Sequence, residues 1–179
     1  MQPQSFIVLT AVGADRAGLV NAITGRIHAA GANIEDSRMA ILGGEFAILL
    51  LIGGSADALL KLESQKQEIE ETLGLSVLTK RTERSLRDKP FLPYLLKVSG
   101  FDRPGIVHQV SELLAKLEIN VAALESRVSF APLSGTPMFL LDARLQIPGQ
   151  AILRQLRHEL SVTCDAVDLD FSLEALGQQ

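Results

Sequence analysis

The chain has 179 residues, 47% hydrophobic and 21% charged, a composition typical of a folded protein that excludes extensive disorder. Its formal net charge of −4 argues against broad binding to DNA, RNA or anionic membranes, because such binding requires Lys and Arg to neutralise phosphates. The single cysteine, Cys164, excludes an internal disulfide, and the chain shows neither a signal-peptide start nor an apolar run of membrane-spanning length, so we expect a cytoplasmic protein.

The first half of the chain predicts the element order βαββαβ. Its apolar residues first form a continuous run, which predicts a strand. They then recur at helical spacing and after that alternate with period two, which predict a helix and a further strand. In chain order, the patterns predict a strand over 6–12, a helix from 19 closed by Gly31, a strand from 33, a hairpin turn at 43–44, a strand over 45–52, a helix closed by Gly74 and a strand over 75–79.

The second half of the chain predicts the same order. The patterns indicate strands over 94–99, 120–130, 138–147 and 162–171, and helices over 104–117 and 150–160. A hairpin flanked by two strand–helix units with right-handed crossovers forms a four-stranded antiparallel sheet with both helices on one face. We therefore predict an α+β fold of two tandem ferredoxin-like domains.

A basic segment separates the halves. Residues 80–93 carry five basic and two acidic side chains, a local net charge of +3. We accordingly predict a first domain over 1–81, a basic linker over 82–91 and a second domain over 92–179. Charge blocks often keep a connector solvated, and the alternative is a docking strip for an acidic partner.

One short motif occurs twice, 87 positions apart. Residues 15–20 read Asp-Arg-Ala-Gly-Leu-Val, and residues 102–107 read Asp-Arg-Pro-Gly-Ile-Val. An asparagine, Asn33 or Asn120, follows each copy at the same offset and opens the next strand. A repeat of half the chain indicates two domains rather than a solenoid of short units.

The repeated turn has a structural and a functional interpretation. Structurally, each Asp caps the following helix, Pro104 occupies the first helical turn, and the glycines serve close packing or an unusual backbone angle. Functionally, a helix N-terminus offers free N–H groups to an anion such as a carboxylate. We expect Asn33 and Asn120 at the same end of the sheet as the turn, where each amide could donate and accept.

These residues resemble the ACT domain, a small-molecule-sensing module of amino-acid metabolism. The resemblance rests on the βαββαβ order, on D-R-x-G-[LI]-V after the first strand and on N-[IV] opening the second. Two such modules without an attached enzyme resemble the glycine cleavage system transcriptional repressor family. The resemblance covers residues 5–172.

The resemblance implies an amino-acid effector bound where the loop after strand one of one domain faces the start of strand two of its neighbour. The effector would be glycine or another amino acid, and no cofactor or metal is implied. It also implies repression of glycine-cleavage genes through a LysR-type activator protein instead of direct nucleic-acid contact, and it leaves a homodimer open. The matching positions are Asp15, Arg16, Ala17, Gly18, Asn33, Asp102, Arg103, Pro104, Gly105 and Asn120.

Two positions depart from the ACT pattern. Ala17 stands where proline is more usual, so the first turn is less rigid. Some amino-acid-binding ACT domains place a polar side chain two residues before the Asp, where this chain has Gly13 and Gly100.

Other classes find less support in the sequence. The histidines His28, His108 and His158 share no catalytic spacing, and no zinc-protease, P-loop or dinucleotide motif is present, so we expect no enzymatic activity. No helix is basic enough to read DNA, and the chain has few aromatic residues with which a sheet could stack on RNA. A non-catalytic interaction or regulatory subunit of a metabolic enzyme remains the alternative.

Overall fold

The structure is a computed structural model that describes residues 5–83, 90–131 and 134–177. The chain divides into two compact units, Met1–Leu86 and Arg87–Gln179. The first unit contains β1 (Ser5–Ala14), α1 (Leu19–Ala30), β2 (Asn33–Leu42), β3 (Glu45–Gly54), α2 (Ala56–Ser64), α3 (Lys66–Leu73) and β4 (Ser76–Thr82). The second contains β5 (Leu92–Phe101), α4 (Ile106–Lys116), β6 (Asn120–Phe130), β7 (Pro137–Ile147), α5 (Gln150–Asp165) and β8 (Leu169–Ala175).

Each unit has a four-stranded antiparallel sheet with the central strands of a ferredoxin-like fold. The strand orders are β2-β3-β1-β4 and β6-β7-β5-β8. In each sheet the first strand pairs with the third and fourth, and the second strand lies at an edge. The predicted α+β tandem fold is confirmed.

The core of each unit lies between its sheet and its helices. Alternate residues of β1, such as Ile7 and Leu9, are buried, and so are Ile23 and Ile27 of α1. The second unit repeats this arrangement with a separate aliphatic core that includes Leu96 of β5. Alternation on the strands and helical spacing on the helices bury one face of each, which is why the sequence patterns located them.

The predicted elements differ from the structure in two main places. The helix expected to end at Gly74 is two helices, α2 and α3, which meet at Gln65. The strand expected over 162–171 begins only at Leu169, because α5 continues to Asp165 and buries Cys164 one turn after Leu160. The buried positions here are four residues apart, which favours a helix. This outweighs the preference of the β-branched residues in the segment for a strand.

The basic segment over 80–93 begins inside the last strand of the first unit. Lys80 and Arg81 belong to β4, and Arg81 Nη2 lies 2.8 Å from Glu63 Oε2. This ion pair raises the pKa of Arg81, through the hydrogen bond first and the charge of Glu63 second. Of the linker predicted over 82–91, residues 84–89 lie outside the described residues, so its docking role stays a prediction.

Candidate functional site

The two repeated turns have nearly the same backbone. Gly18 and Gly105 are the N-cap residues of α1 and α4, with φ of 92° and 95°. A Cβ at either glycine would meet nothing within 4 Å, so glycine is favoured here by the left-handed backbone and not by close packing. The structural interpretation was therefore correct about the angle.

That interpretation was wrong about capping. Within the described residues neither α1 nor α4 has a side-chain cap, because each N-cap residue is a glycine and Asp15 or Asp102 lies three positions before it. Pro104 also precedes Gly105 and so lies outside the first helical turn. The aspartates are consequently available for another partner.

Each aspartate is held by its backbone. The Asp15 N–H donates to Gly44 O at 3.0 Å, and the Asp102 N–H donates to Pro137 O at 3.1 Å. Both side chains are exposed, and within the part of the chain that the structure describes neither carboxylate makes a hydrogen bond or ion pair. Each carboxylate is thus positioned at the turn and free to accept.

Among the described residues, the N-termini of α1 and α4 have no side-chain cap, as is also true of α3 and α5, whereas α2 has one. Ser55 caps α2 by accepting from the Ala58 N–H at 3.2 Å. Neither α1 nor α4 has an acidic residue in its first turn. Because the first N–H groups of a helix have no intrahelical acceptor and carry its positive dipole end, both turns offer donors to an anion.

An open groove lies at the first turn. Its volume is about 550 Å³. It is lined by four of the predicted site residues, Asp15, Arg16, Ala17 and Gly18, and by six residues that were not among the predicted site residues: Leu19, Val20, Asn21, Thr24, Met39 and Phe46. Sequence spacing marks the first turn of α1, but only strand pairing brings β2 and β3 beside it.

The two arginines of the motif differ in their surroundings. Arg16 Nη2 donates to Leu73 O at 3.3 Å, a carbonyl in the last turn of α3, where a cation is favoured by the helix dipole. Arg103 Nη2 is buried and, among the described residues, has no hydrogen-bond partner. Arg16 therefore ties its loop to the domain, whereas the corresponding end of Arg103 is unpaired.

The asparagines are not at the same end of their sheets as the turns, and that expectation was wrong. Asn33 lies level with Phe6, near the start of β1, because Asn33 is opposite Gly53 of β3 and Gly53 is opposite Phe6. From position 6 to position 15 the extended chain covers roughly 30 Å at about 3.3 Å per residue. One amino acid cannot span Asn33 and Asp15 of the same domain.

The second unit shows the same separation. Asn120 is opposite Gln146, which is opposite Pro93, nine positions before Asp102. Both asparagine amides also have local partners: Asn33 Nδ2 donates to Glu35 Oε1 at 3.2 Å, and Asn120 Nδ2 donates to Gln146 Oε1 at 2.7 Å. A ligand role for either asparagine stays a prediction, and it does not involve the turn of its own domain.

Comparison with known proteins shows the family of the chain. Residues 5–80 and residues 94–158 each match the ACT domain family. The chain is 30% identical over 99% of its length to the glycine cleavage system transcriptional repressor of Escherichia coli (strain K12), of which it covers 93%. The chain belongs to this tandem ACT-domain repressor family.

Solved structures of similar proteins agree with this family. A protein of Galdieria sulphuraria, described only as an unknown protein, aligns with a TM-score of 0.81 at 28% identity, over 98% of this chain and all of that one. A protein provisionally assigned as a glycine cleavage system transcriptional repressor aligns with a TM-score of 0.75 at 27% identity, over 98% and 99% of the two chains. The family and its ACT domains support a regulatory role for this chain.

Both ACT domains lack room for a side chain two residues before the Asp. A Cβ at Gly13 would lie 2.6 Å from Gly74 O, and one at Gly100 would lie 2.4 Å from Leu169 Cδ2. Distances under 3.0 Å require the neighbours to move. The polar contact that some ACT domains make from this position is therefore replaced here by close packing of β1 against the connection between α3 and β4, and of β5 against the start of β8.

Other kinds of site find no support in the described residues. No group of three or more His, Cys, Asp or Glu side chains there could hold a metal ion. Burial raises the pKa of the Cys164 thiol, and the charges of Asp165 and Asp170 add to the effect, so this thiol is a poor nucleophile. No helix within the described ranges is long and apolar enough to cross a bilayer.

Proposed function

We propose that this protein is an amino-acid-responsive regulator that represses glycine-cleavage genes by binding a LysR-type activator protein instead of DNA. The effector, glycine or another amino acid, binds at the repeated turns of the ACT domains. The observation that carries the proposal is a pair of helix N-termini, at the same place in both domains, which among the described residues have no side-chain cap and lie beside a carboxylate without a partner.

The chemistry of an α-amino acid fits such a turn. Its carboxylate would accept from the N–H groups after Gly18 or Gly105, and its ammonium group would donate to Asp15 or Asp102. Charge-assisted hydrogen bonds of this kind are about twice as strong as neutral ones. The same two charges are common to all α-amino acids, so the turn supplies affinity and the rest of the site supplies selectivity.

The charge of the chain supports action through a protein partner. The net charge of −4 disfavours phosphate binding, and the helices α1 and α4 that follow the turns carry few basic residues. An effector can relieve repression only if it binds the free and the activator-bound states with different affinities. By reciprocity the activator changes effector affinity by the same factor, on the order of 5–150-fold for typical couplings.

Effector binding is tested with matched carboxylate variants. A thermal-shift screen of the twenty amino acids, followed by calorimetry, should identify at least one ligand. Asp15→Ala or Asp102→Ala should weaken its binding about tenfold or more, since losing one charge-assisted hydrogen bond costs about 1.5–3 kcal/mol. Asp57→Ala, which removes an exposed carboxylate from the first turn of α2, serves as the control and should leave the affinity unchanged. Unchanged affinity in both turn variants would remove the turns from the site.

The mode of repression is tested separately. A LysR-type activator should be retained by the immobilised protein and released by the amino acid found in the screen. Gel-shift assays with the purified protein alone should show no sequence-specific complex with glycine-cleavage promoter DNA. A specific complex that withstands salt would contradict action through a protein partner.

A further inference from the structure

The groove of the first ACT domain combines polar and apolar side chains. Its polar lining is Asp15 and Arg16 at the turn and Asn21 and Thr24 on α1. The apolar lining comes from three different elements: Leu19 and Val20 on α1, Met39 on β2 and Phe46 on β3. Small-molecule sites are typically lined in this way, by apolar side chains with a few polar groups that fix orientation.

The apolar surface of the groove is open because α1 leaves the edge of the sheet uncovered. Phe46 is 1% exposed and forms the floor, on the face of β3 that points toward the helices. On the neighbouring edge strand β2, Met39 is opposite Ile48 of that same face, yet its own side chain is 54% exposed. The exposed side chain of Met39 therefore forms a wall beside the aromatic floor, and an apolar group of a ligand can pack against both.

Glycine would leave most of this groove empty. The volume of about 550 Å³ falls within the range of about 300–1,000 Å³ that holds small organic ligands. A ligand anchored by its carboxylate and ammonium at the turn would direct any side chain along Val20 and Met39 over Phe46. Methionine at the wall also adapts its shape to an apolar group more readily than a branched residue.

We propose, on the basis of the amino-acid role proposed above, that this groove takes an α-amino acid with an apolar side chain of the size of leucine or methionine, in preference to glycine. The turn binds the groups common to all amino acids, and the apolar surface formed by Val20, Met39 and Phe46 selects the side chain.

Calorimetry on the full chain tests this selection with glycine, alanine, leucine and methionine. Each methylene group removed from water strengthens binding about fourfold, so burial of two of them makes leucine or methionine bind at least tenfold more tightly than glycine. Met39→Ala should weaken leucine binding about three- to tenfold and leave glycine binding unchanged. Asp15→Ala should weaken binding of all four ligands.

Ile41→Ala is the matched control for Met39→Ala. Ile41 lies two positions along the same face of the same strand, is also 54% exposed, and is not part of the groove lining. Circular dichroism and the melting temperature establish that both variants fold. Leucine affinity should fall in Met39→Ala and not in Ile41→Ala, and equal effects of the two would overturn the placement of the side chain.

The remaining outcomes separate this inference from the proposed function. If glycine binds as tightly as leucine and its binding depends on Asp15, the selection by the groove is wrong and the amino-acid-responsive role stands. If none of the twenty amino acids binds, both the proposed amino-acid-responsive role and the proposed selection by the groove are wrong.

Discussion

Replacing Glu118 by glycine should stabilise the second ACT domain. Glu118 follows the C-cap of α4 with φ of 52°, and Gly31, 87 positions earlier, follows α1 with φ of 82°. Both close their helices with the same bonds: the N–H of Ile119 donates to Leu114 O at 2.9 Å, and the N–H of Ala32 donates to Ile27 O at 3.2 Å. The second domain thus uses a glutamate where the geometry favours glycine.

The size of the gain follows from two opposing terms. The left-handed conformation costs an ordinary L-residue about 1–2 kcal/mol, and glycine avoids this cost. Glycine also gives the unfolded chain more freedom, which offsets about 0.4–1 kcal/mol. Because the Glu118 side chain is exposed, no packing is lost, and Glu118→Gly should raise the free energy of unfolding by about 0.5–1 kcal/mol.

Urea denaturation measures this gain, and scanning calorimetry should show a rise of roughly 2–8 °C in the melting temperature of the domain. Glu118→Ala is the matched control, because it removes the charge and the side chain but keeps a Cβ in the left-handed conformation. Gly31→Ala should conversely destabilise the first domain. If Glu118→Gly and Glu118→Ala have the same stability, the backbone argument is refuted, and any change belongs to the side chain.

Three further predictions concern packing and chemistry. Gly13→Ala should lower the free energy of unfolding by about 1–3 kcal/mol in urea titrations, because the new Cβ meets a backbone carbonyl at 2.6 Å. Gly100→Ala should lower it by less, because its Cβ meets the end of a leucine side chain, at 2.4 Å, which can move. Ser55→Ala should cost about 1 kcal/mol in the same assay through loss of the α2 cap, whereas Ser55→Asp, which can also cap, should cost little. Cys164, 1% exposed and with its thiol pKa raised by burial, should react with a maleimide only slowly at pH 7 and at once in denaturant; rapid labelling of the folded protein would contradict this burial.

Local signals in the sequence determined the order of elements and the two turns. Gly31 and Gly74 do end their helices in the left-handed conformation, and the pair at 43–44 does turn β2 into β3. Such signals act over a few residues, and a repeat at constant offset made each half a check on the other. The β-branched residues near Val162 predicted a strand where the structure has a helix. Burial of one helix face, which depends on distant partners, outweighed local propensity there.

The tertiary structure decided which residues meet at the site. Strand register, set by pairing between segments far apart in sequence, places Asn33 at the opposite end of the sheet from Asp15. The same register brings Met39 and Phe46 beside the first turn of α1, although neither belongs to a motif. A turn and its free N–H groups can be recognised from a few neighbouring residues, but a groove consists of surfaces from several elements, and only their packing determines which side chains line it.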